Sequence, residues 1–247
     1  MSKTHTIGLV TPQSTDRVPP EGAQMYPEVN FIPKGVGVRA LTPEGYDGAW
    51  NGIVPAAEEL AGREGVEAIV VAGTSLTFYR GAEAHARMLE KVKAVTGMPA
   101  CSMSSAIVDG LKAVGARRIS VCTAYGDEVN KRLENFLTDS GFEVLKLEGF
   151  GLTEFGAPGS KTEKDIIDLA AKVHAAAPDA EGMLISCGGL RTLGVAKPIE
   201  SQAGIPVVAS TPACFWAAMR LVGESGYYPG HGRLLEQSGK AAANQPA

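Results

Sequence analysis

The sequence predicts an α/β protein of two lobes related by a pseudo-twofold axis, each lobe a parallel sheet flanked by helices, with the active site in the cleft between them. Three observations carry this. Short Val- and Ile-rich runs alternate with longer amphipathic stretches, the pattern of parallel β-α units. One half of the chain is echoed in the other at a nearly constant offset. Corresponding apolar runs end in glycines, hydroxyls or a thiol.

In chain order, strands are predicted at THTIGLV (4–10), EAIVVAG (67–73), PACSM (99–103), RISVCTA (118–124), FEVLKL (142–147), GMLISC (182–187) and PVVAS (206–210). Between them lie helical patterns. In 126–141, Val129, Leu133, Phe136 and Leu137 share one face. In 162–177, Thr162 and Asp165 read as a capping box, and Ile166, Ala170, Val173 and Ala177 line a face. Residues 11–45 carry six prolines, and a stretch this dense inside a domain reads as a binding loop.

The repeat justifies the second lobe. GMPACSMSSAIVDGLKAVG (97–115) returns as GIPVVASTPACFWAAMRLVG (204–223), an offset of 107. IGLVTP (7–12) returns as ISVCTA (119–124), offset by 112, and AIVVAGTSL (68–76) as MLISCGGL (183–190), with Gly73 matched to Cys187 at 114. The expected division is a first Rossmann-like lobe over 1–97, a second over 98–210, and a C-terminal helix over 211–235 that returns to the first. Residues 236–247, small and polar, are expected to fray.

Composition narrows the function. Twenty-seven acidic against 23 basic residues give a net charge of −4, which argues against nucleic acid or an anionic membrane as partner. The apolar runs are too short to span a bilayer, and the N-terminus lacks the layout of a signal peptide, so a cytoplasmic protein is expected. Four cysteines form no CxxC and four histidines no HxH or HExxH, so no metal is expected and the thiols are read as reduced. Cys101, Cys122 and Cys214 lie within strand or helix patterns and read as small buried hydrophobes. His85 and His174 sit on patterns rich in charge and alanine and read as solvated.

In open parallel sheets, ligands bind beyond the carboxyl ends of the strands. Three such ends carry reactive groups: Gly73-Thr74-Ser75, Thr123-Ala124-Tyr125 and Ser186-Cys187-Gly188-Gly189. The pseudo-axis brings the first and third face to face. Free backbone N–H groups there, with the hydroxyls of Thr74, Ser75 and Tyr125, form a candidate carboxylate or oxyanion site that includes Gly188. Cys187, at a strand end before Gly-Gly, reads as a functional thiol rather than core. Thr74 and Ser75 also suit an N-cap, and Tyr125 a packed aromatic.

G-T-S-L-x-F-Y-R-G (73–81), T-A-Y (123–125) and S-C-G-G-L-x-T-L (186–193) together resemble the aspartate/glutamate racemase superfamily, which includes hydantoin racemases and maleate isomerases. Racemases of that group carry a cysteine at each facing strand end. Here the pair is Gly73 and Cys187, and a single cysteine opposite glycine is similar to the arylmalonate decarboxylases. L-T-P-E-G-Y-D (41–47) agrees, and the similarity runs from about residue 6 to about 235.

The resemblance implies cofactor-independent decarboxylation of an α-aryl or α-alkenyl malonate to a chiral monoacid, with Cys187 as proton donor. It implies a small dicarboxylate substrate, no cofactor, and a substrate pocket walled by Pro12, Val38, Leu41, Tyr46, Gly73, Leu76 and Phe155. A monomer is expected, with a homo-oligomer left open. The alternatives are a racemase or maleate cis–trans isomerase of the same superfamily, or a carboxylate-binding protein without activity. Gln13 departs from the family, which has a second proline there, and so does the pocket-wall segment 150–160 with Phe155, Pro158 and Gly159.

Overall fold

A computed structural model describes the chain over residues 5–242, with side chains to residue 237. Two four-stranded sheets, every strand pair parallel, form the two lobes. The first has strand order β2-β1-β3-β4, with β1 at Thr6–Thr11, β2 at Asn30–Gly35, β3 at Ala68–Val71 and β4 at Ala100–Ser102. The second repeats it as β6-β5-β7-β8: β5 at Arg118–Tyr125, β6 at Glu143–Leu152, β7 at Gly182–Ser186 and β8 at Val207–Ala209. The inner strands β3 and β7 are buried at every residue, because helices cover both faces of a parallel sheet. The predicted two-lobe α/β class is the observed one.

Two helical details follow the sequence reading. Helix α7 (Asp127–Asp139) buries Val129, Leu133, Phe136 and Leu137, and α8 (Glu163–Ala176) begins with a reciprocal Thr162–Asp165 capping box. The proline-dense stretch differs from expectation, since it holds helix α1 (Pro20–Met25), strand β2 and the start of α2 (Pro43–Trp50). Pro33 is tolerated in β2 because that edge strand pairs only with β1 and leaves one side without a ladder to complete.

The repeat has a structural meaning. Helix α6 (Met103–Ala113) follows β4 of the first sheet yet packs on β7 and β8 of the second. Helix α10 (Ser210–Leu221) follows β8 and crosses back to β3 and β4, against α6. The two lobes therefore exchange helices. Gly110 allows the close approach of α6: a Cβ there would stand 3.1 Å from Val208 Cγ1 on β8. The boundary at residue 97 needs correction, because β4 hydrogen-bonds to β3 and completes the first sheet. The chain crosses over after Ser102, where β4 ends and α6 begins.

The C-terminal reading also changes. Residues 236–242 continue helix α11 (Arg233–Ala242) rather than fray, and residues 243–247 lie outside those described. The Glu200 carboxylate fixes the start of α11, accepting the backbone N–H groups of Val207 at 2.9 Å and Arg233 at 3.0 Å. No helix among the described residues is long and apolar enough to cross a membrane.

Candidate active site

Strand order 2-1-3-4 reverses direction between β1 and β3, and its counterpart reverses between β5 and β7. Such switch points leave a crevice beyond the strand ends. The two crevices meet in one cavity of about 230 Å³. From the first lobe it is lined by Pro12 and Gln13 after β1, and by Gly73, Thr74, Ser75 and Leu76 after β3. From the second lobe come Cys187, Gly188 and Gly189 after β7. Val38, Leu41 and Tyr46 add an apolar wall, and Phe155 and Pro158 reach over from the segment after β6.

The lobes are tied together beside the cavity. Leu41 N–H donates to the Thr153 carbonyl at 2.8 Å, and Ala40 and Glu154 form an antiparallel bridge. Phe78, on α4 (Thr74–Phe78), meets Tyr125 of β5 edge-on at 5.8 Å.

At the centre the two strand ends nearly touch, since a Cβ on Gly188 would lie 3.8 Å from Thr74 Oγ1. The Thr74 hydroxyl donates to Met103 Sδ at 2.8 Å. Sulfur is a weak acceptor, so that donor passes readily to a carboxylate. After β7 the chain turns tightly: Leu190 N–H donates to the Cys187 carbonyl at 3.2 Å, and Gly189 N–H to Cys187 Sγ at 3.4 Å. Gly73 is extended (φ −143°, ψ 111°), a conformation open to any residue, so its lack of a side chain serves space rather than backbone.

Several polar groups here lack a partner. The hydroxyls of Tyr46, Tyr125 and Ser186 and the Gln13 Oε1 are buried and make no hydrogen bond. Tyr46 and Tyr125 both stand close to the Ser75 hydroxyl, yet neither reaches it with hydrogen-bond geometry. A buried polar group left unpaired costs about 1–3 kcal/mol, so the three hydroxyls form a donor set for an oxygen-rich ligand, while the Gln13 Oε1 can only accept.

Burial pushes the Cys187 thiol up, with Gly189 N–H, Tyr125 and Leu190 N–H opposing it, so it rests protonated at neutral pH. Burial likewise raises Tyr125, aided by the proximity of Cys187, and raises Tyr46. Both phenols therefore stay donors.

Of the residues expected from sequence, Cys187, Thr74, Ser75, Gly188, Pro12, Val38, Leu41, Tyr46, Gly73, Leu76 and Phe155 all line this cavity. Tyr125 stands behind the lining, fully buried beside Cys187 and Ser75. Phe155 is 37% exposed and sits at the rim. Cys101, Cys122 and Cys214 are buried in β4, β5 and α10.

Sequence reasoning missed Gln13 and Pro19 as lining residues. Proline density signalled that segment but not which side chains turn inward. It also misread His85, which is buried, accepts or donates at 2.7 Å to Ser102 Oγ, and packs edge-on against Phe136 of the other lobe. Its neighbours lie far away in sequence, so the local pattern could not reveal them.

The family model of arylmalonate decarboxylase matches residues 7–235. The arylmalonate decarboxylase of Bordetella bronchiseptica is 40% identical over 238 residues, 96% of this chain and 99% of that one. A liganded arylmalonate decarboxylase variant superposes with a TM-score of 0.92 at 39% identity, covering 95% of this chain and 100% of that one. Its glycine-to-cysteine and cysteine-to-serine changes stand 114 residues apart, the separation of Gly73 from Cys187. The fold is shared more widely: the maleate isomerase of Pseudomonas putida S16, 19% identical, has a TM-score of 0.88 over 95% of this chain and 99% of that one. With the family model spanning nearly the whole chain and a relative matched end to end, this chain belongs to the arylmalonate decarboxylase family of carboxy-lyases.

Proposed function

We infer that this protein decarboxylates an α-aryl or α-alkenyl malonate, without a cofactor, to a chiral monocarboxylic acid. The observation that supports it best is one thiol, Cys187, kept protonated by burial beside buried phenol hydroxyls that have no partner. Cleaving the C–C bond releases CO₂ and leaves the electron pair on the α-carbon, conjugated with the remaining carboxylate as an enediolate. The new charge on oxygen meets the hydroxyls of Thr74, Ser75 and Tyr125 and the N–H groups of Cys187 and Gly188. Fixed donors at that place stabilise the transition state, each worth about 3 kcal/mol in comparable sites. An aryl or alkenyl group spreads the charge further.

The departing carboxylate lies against Val38, Leu41, Tyr46, Leu76 and Phe155, where poor solvation favours neutral CO₂. Pro12 and Gly73 complete the pocket. The Cys187 thiol then gives its proton to one face of the α-carbon, and the resulting thiolate regains one from water. A two-thiol racemase mechanism fits poorly, because Cys187 is the one cysteine lining the cavity and Gly73 stands opposite. The reading includes a monomer in the cytoplasm, whose reducing poise suits four unpaired thiols.

Incubation with phenylmalonate tests it. CO₂ release is expected, and Cys187→Ala is expected to abolish turnover while phenylacetate still binds. Near wild-type rates in Cys187→Ala on every substrate accepted would overturn the role of the thiol, and binding without CO₂ release would leave a carboxylate-binding protein.

A further inference from the structure

The decarboxylation chemistry accounts for most of the polar side chains at the cavity: Thr74, Ser75, Tyr46, Tyr125 and Cys187. One remains. Gln13 lines the same cavity, its Oε1 is buried, and that oxygen has no hydrogen-bond partner.

Its backbone is held firmly. The Gln13 carbonyl accepts Gly37 N–H at 2.9 Å, the preceding Pro12 carbonyl accepts Val38 N–H at 2.7 Å, and Asp16 Oδ1 accepts Gly35 N–H at 2.8 Å. Gly35 is pressed so close that a Cβ there would clash with the Gln13 carbonyl oxygen. The loop after β1 is thus clamped to the end of β2, and the side chain that it carries stands at a fixed place on the cavity wall.

That place is informative. β1 and β3 are hydrogen-bonded neighbours, with Val10 opposite Val71. Gln13, two residues beyond β1, shares the lining of this cavity with Gly73 and Thr74 at the end of β3. A substrate α-carbon held between Gly73 and Cys187 shares with Gln13 one cavity of about 230 Å³, so its aryl group has this side chain in the surrounding wall.

We propose that Gln13 is a specificity-determining residue that reads a hydrogen-bond donor on the substrate's aryl ring, so that the preferred substrates are hydroxyaryl or aminoaryl malonates. This deepens the decarboxylase reading and rests on it. An unpaired amide oxygen in a cavity wall is satisfied by a phenolic O–H or an aniline N–H. An unsubstituted phenyl ring leaves it desolvated and unpaired. A site built to bond a substrate hydroxyl discriminates against the analogue lacking it, because its own polar group is stranded.

The test compares kcat/KM for CO₂ release from phenylmalonate and from malonates bearing hydroxyl or methoxyl at the meta or para position. Hydroxyl and methoxyl push electrons into the ring similarly, so their ratio isolates the donor. In the wild type the hydroxyl compound at one position should exceed its methoxyl partner by about tenfold, the worth of one hydrogen bond. In Gln13→Leu that ratio should collapse towards one at an unchanged melting temperature, which reports that the variant folds. Gln13→Glu, which keeps the acceptor, should retain the hydroxyl preference. The same hydroxyl-to-methoxyl ratio in wild type and Gln13→Leu would overturn the proposal but leave the decarboxylase reading intact. CO₂ release from none of the malonates would overturn both.

Discussion

Cys187 has to act as an acid after the C–C bond breaks, so its protonated form is the active one. Burial holds its pKa above the ordinary 9.0 of a thiol. Turnover should therefore persist through neutral pH and fall only above that value, as the thiol ionises; a pH–rate profile with an alkaline limb centred below 9.0 would contradict the assignment. Tyr125 separates stability from function. Its hydroxyl is buried without a partner, so Tyr125→Phe removes an unsatisfied group and should hold or raise the melting temperature. The same change removes an enediolate donor and should lower kcat by about 10²-fold. Thermal melts and initial rates on the same preparation check both halves, and loss of stability together with activity would make Tyr125 a packing residue. Cys187, Thr74 and Ser75 were legible in the sequence because a strand end followed by glycine or a hydroxyl pair marks a ligand crevice on its own. The unpaired state of the Tyr46 and Tyr125 hydroxyls and the inward Oε1 of Gln13 were not, since pairing depends on neighbours that only folding supplies.

At the level of elements, the junction of β4 and α6 shows why local patterns mislead. Ser102 caps α6 in a reciprocal box with Ser105, and the same hydroxyl meets His85 from α5 (Ala82–Thr96). The charge and alanine around His85 look like a solvated face, yet position 85 is covered by Phe136 of the opposite lobe. Burial depresses its pKa from 6.5 to about 4, so the folded protein holds it neutral. Below pH 6.5 the unfolded chain takes up this proton before the folded one does, and stability is lost as pH falls from 6.5 towards 4. The loss approaches 1.4 kcal/mol per pH unit, to be read from urea midpoints at pH 7 and pH 5. In His85→Gln, which does not titrate, the slope should shrink; an unchanged slope would assign it to other groups. Helices α7 and α8 behaved as their sequences predict because their apolar stripes and caps are local properties. The boundary of the first lobe differs from the sequence reading because strand pairing is not local: β4 belongs to the first sheet through its hydrogen bonds to β3, which no pattern within 98–103 reveals.

For the molecule as a whole, the pseudo-twofold axis is the feature that joins fold to chemistry. Offsets of 107, 112 and 114 in the sequence become two sheets of identical strand order, and the repeat at 97–115 and 204–223 becomes the pair of exchanged helices. Because α6 and α10 each complete the other lobe, the two strand ends are held against one another, and Gly73 and Cys187 line one cavity from opposite lobes. Proton delivery comes from the lobe that carries the thiol. Moving the thiol to the other lobe, as Gly73→Cys with Cys187→Ser, should therefore protonate the opposite face and invert the handedness of the product. The backbone at Gly73 accepts a side chain without strain, but the new Cβ would lie 3.2 Å from Leu76 Cβ, tighter than a comfortable contact. Leu76 must give way, so the inverted enzyme should be slower than the wild type. Gly73→Cys alone places thiols on both faces, one able to remove a proton and the other to return it, and should gain racemisation of α-aryl acids. Chiral chromatography of the monoacid decides between models: unchanged handedness from an active double variant would mean that Gly73 and Cys187 do not address opposite faces of the substrate.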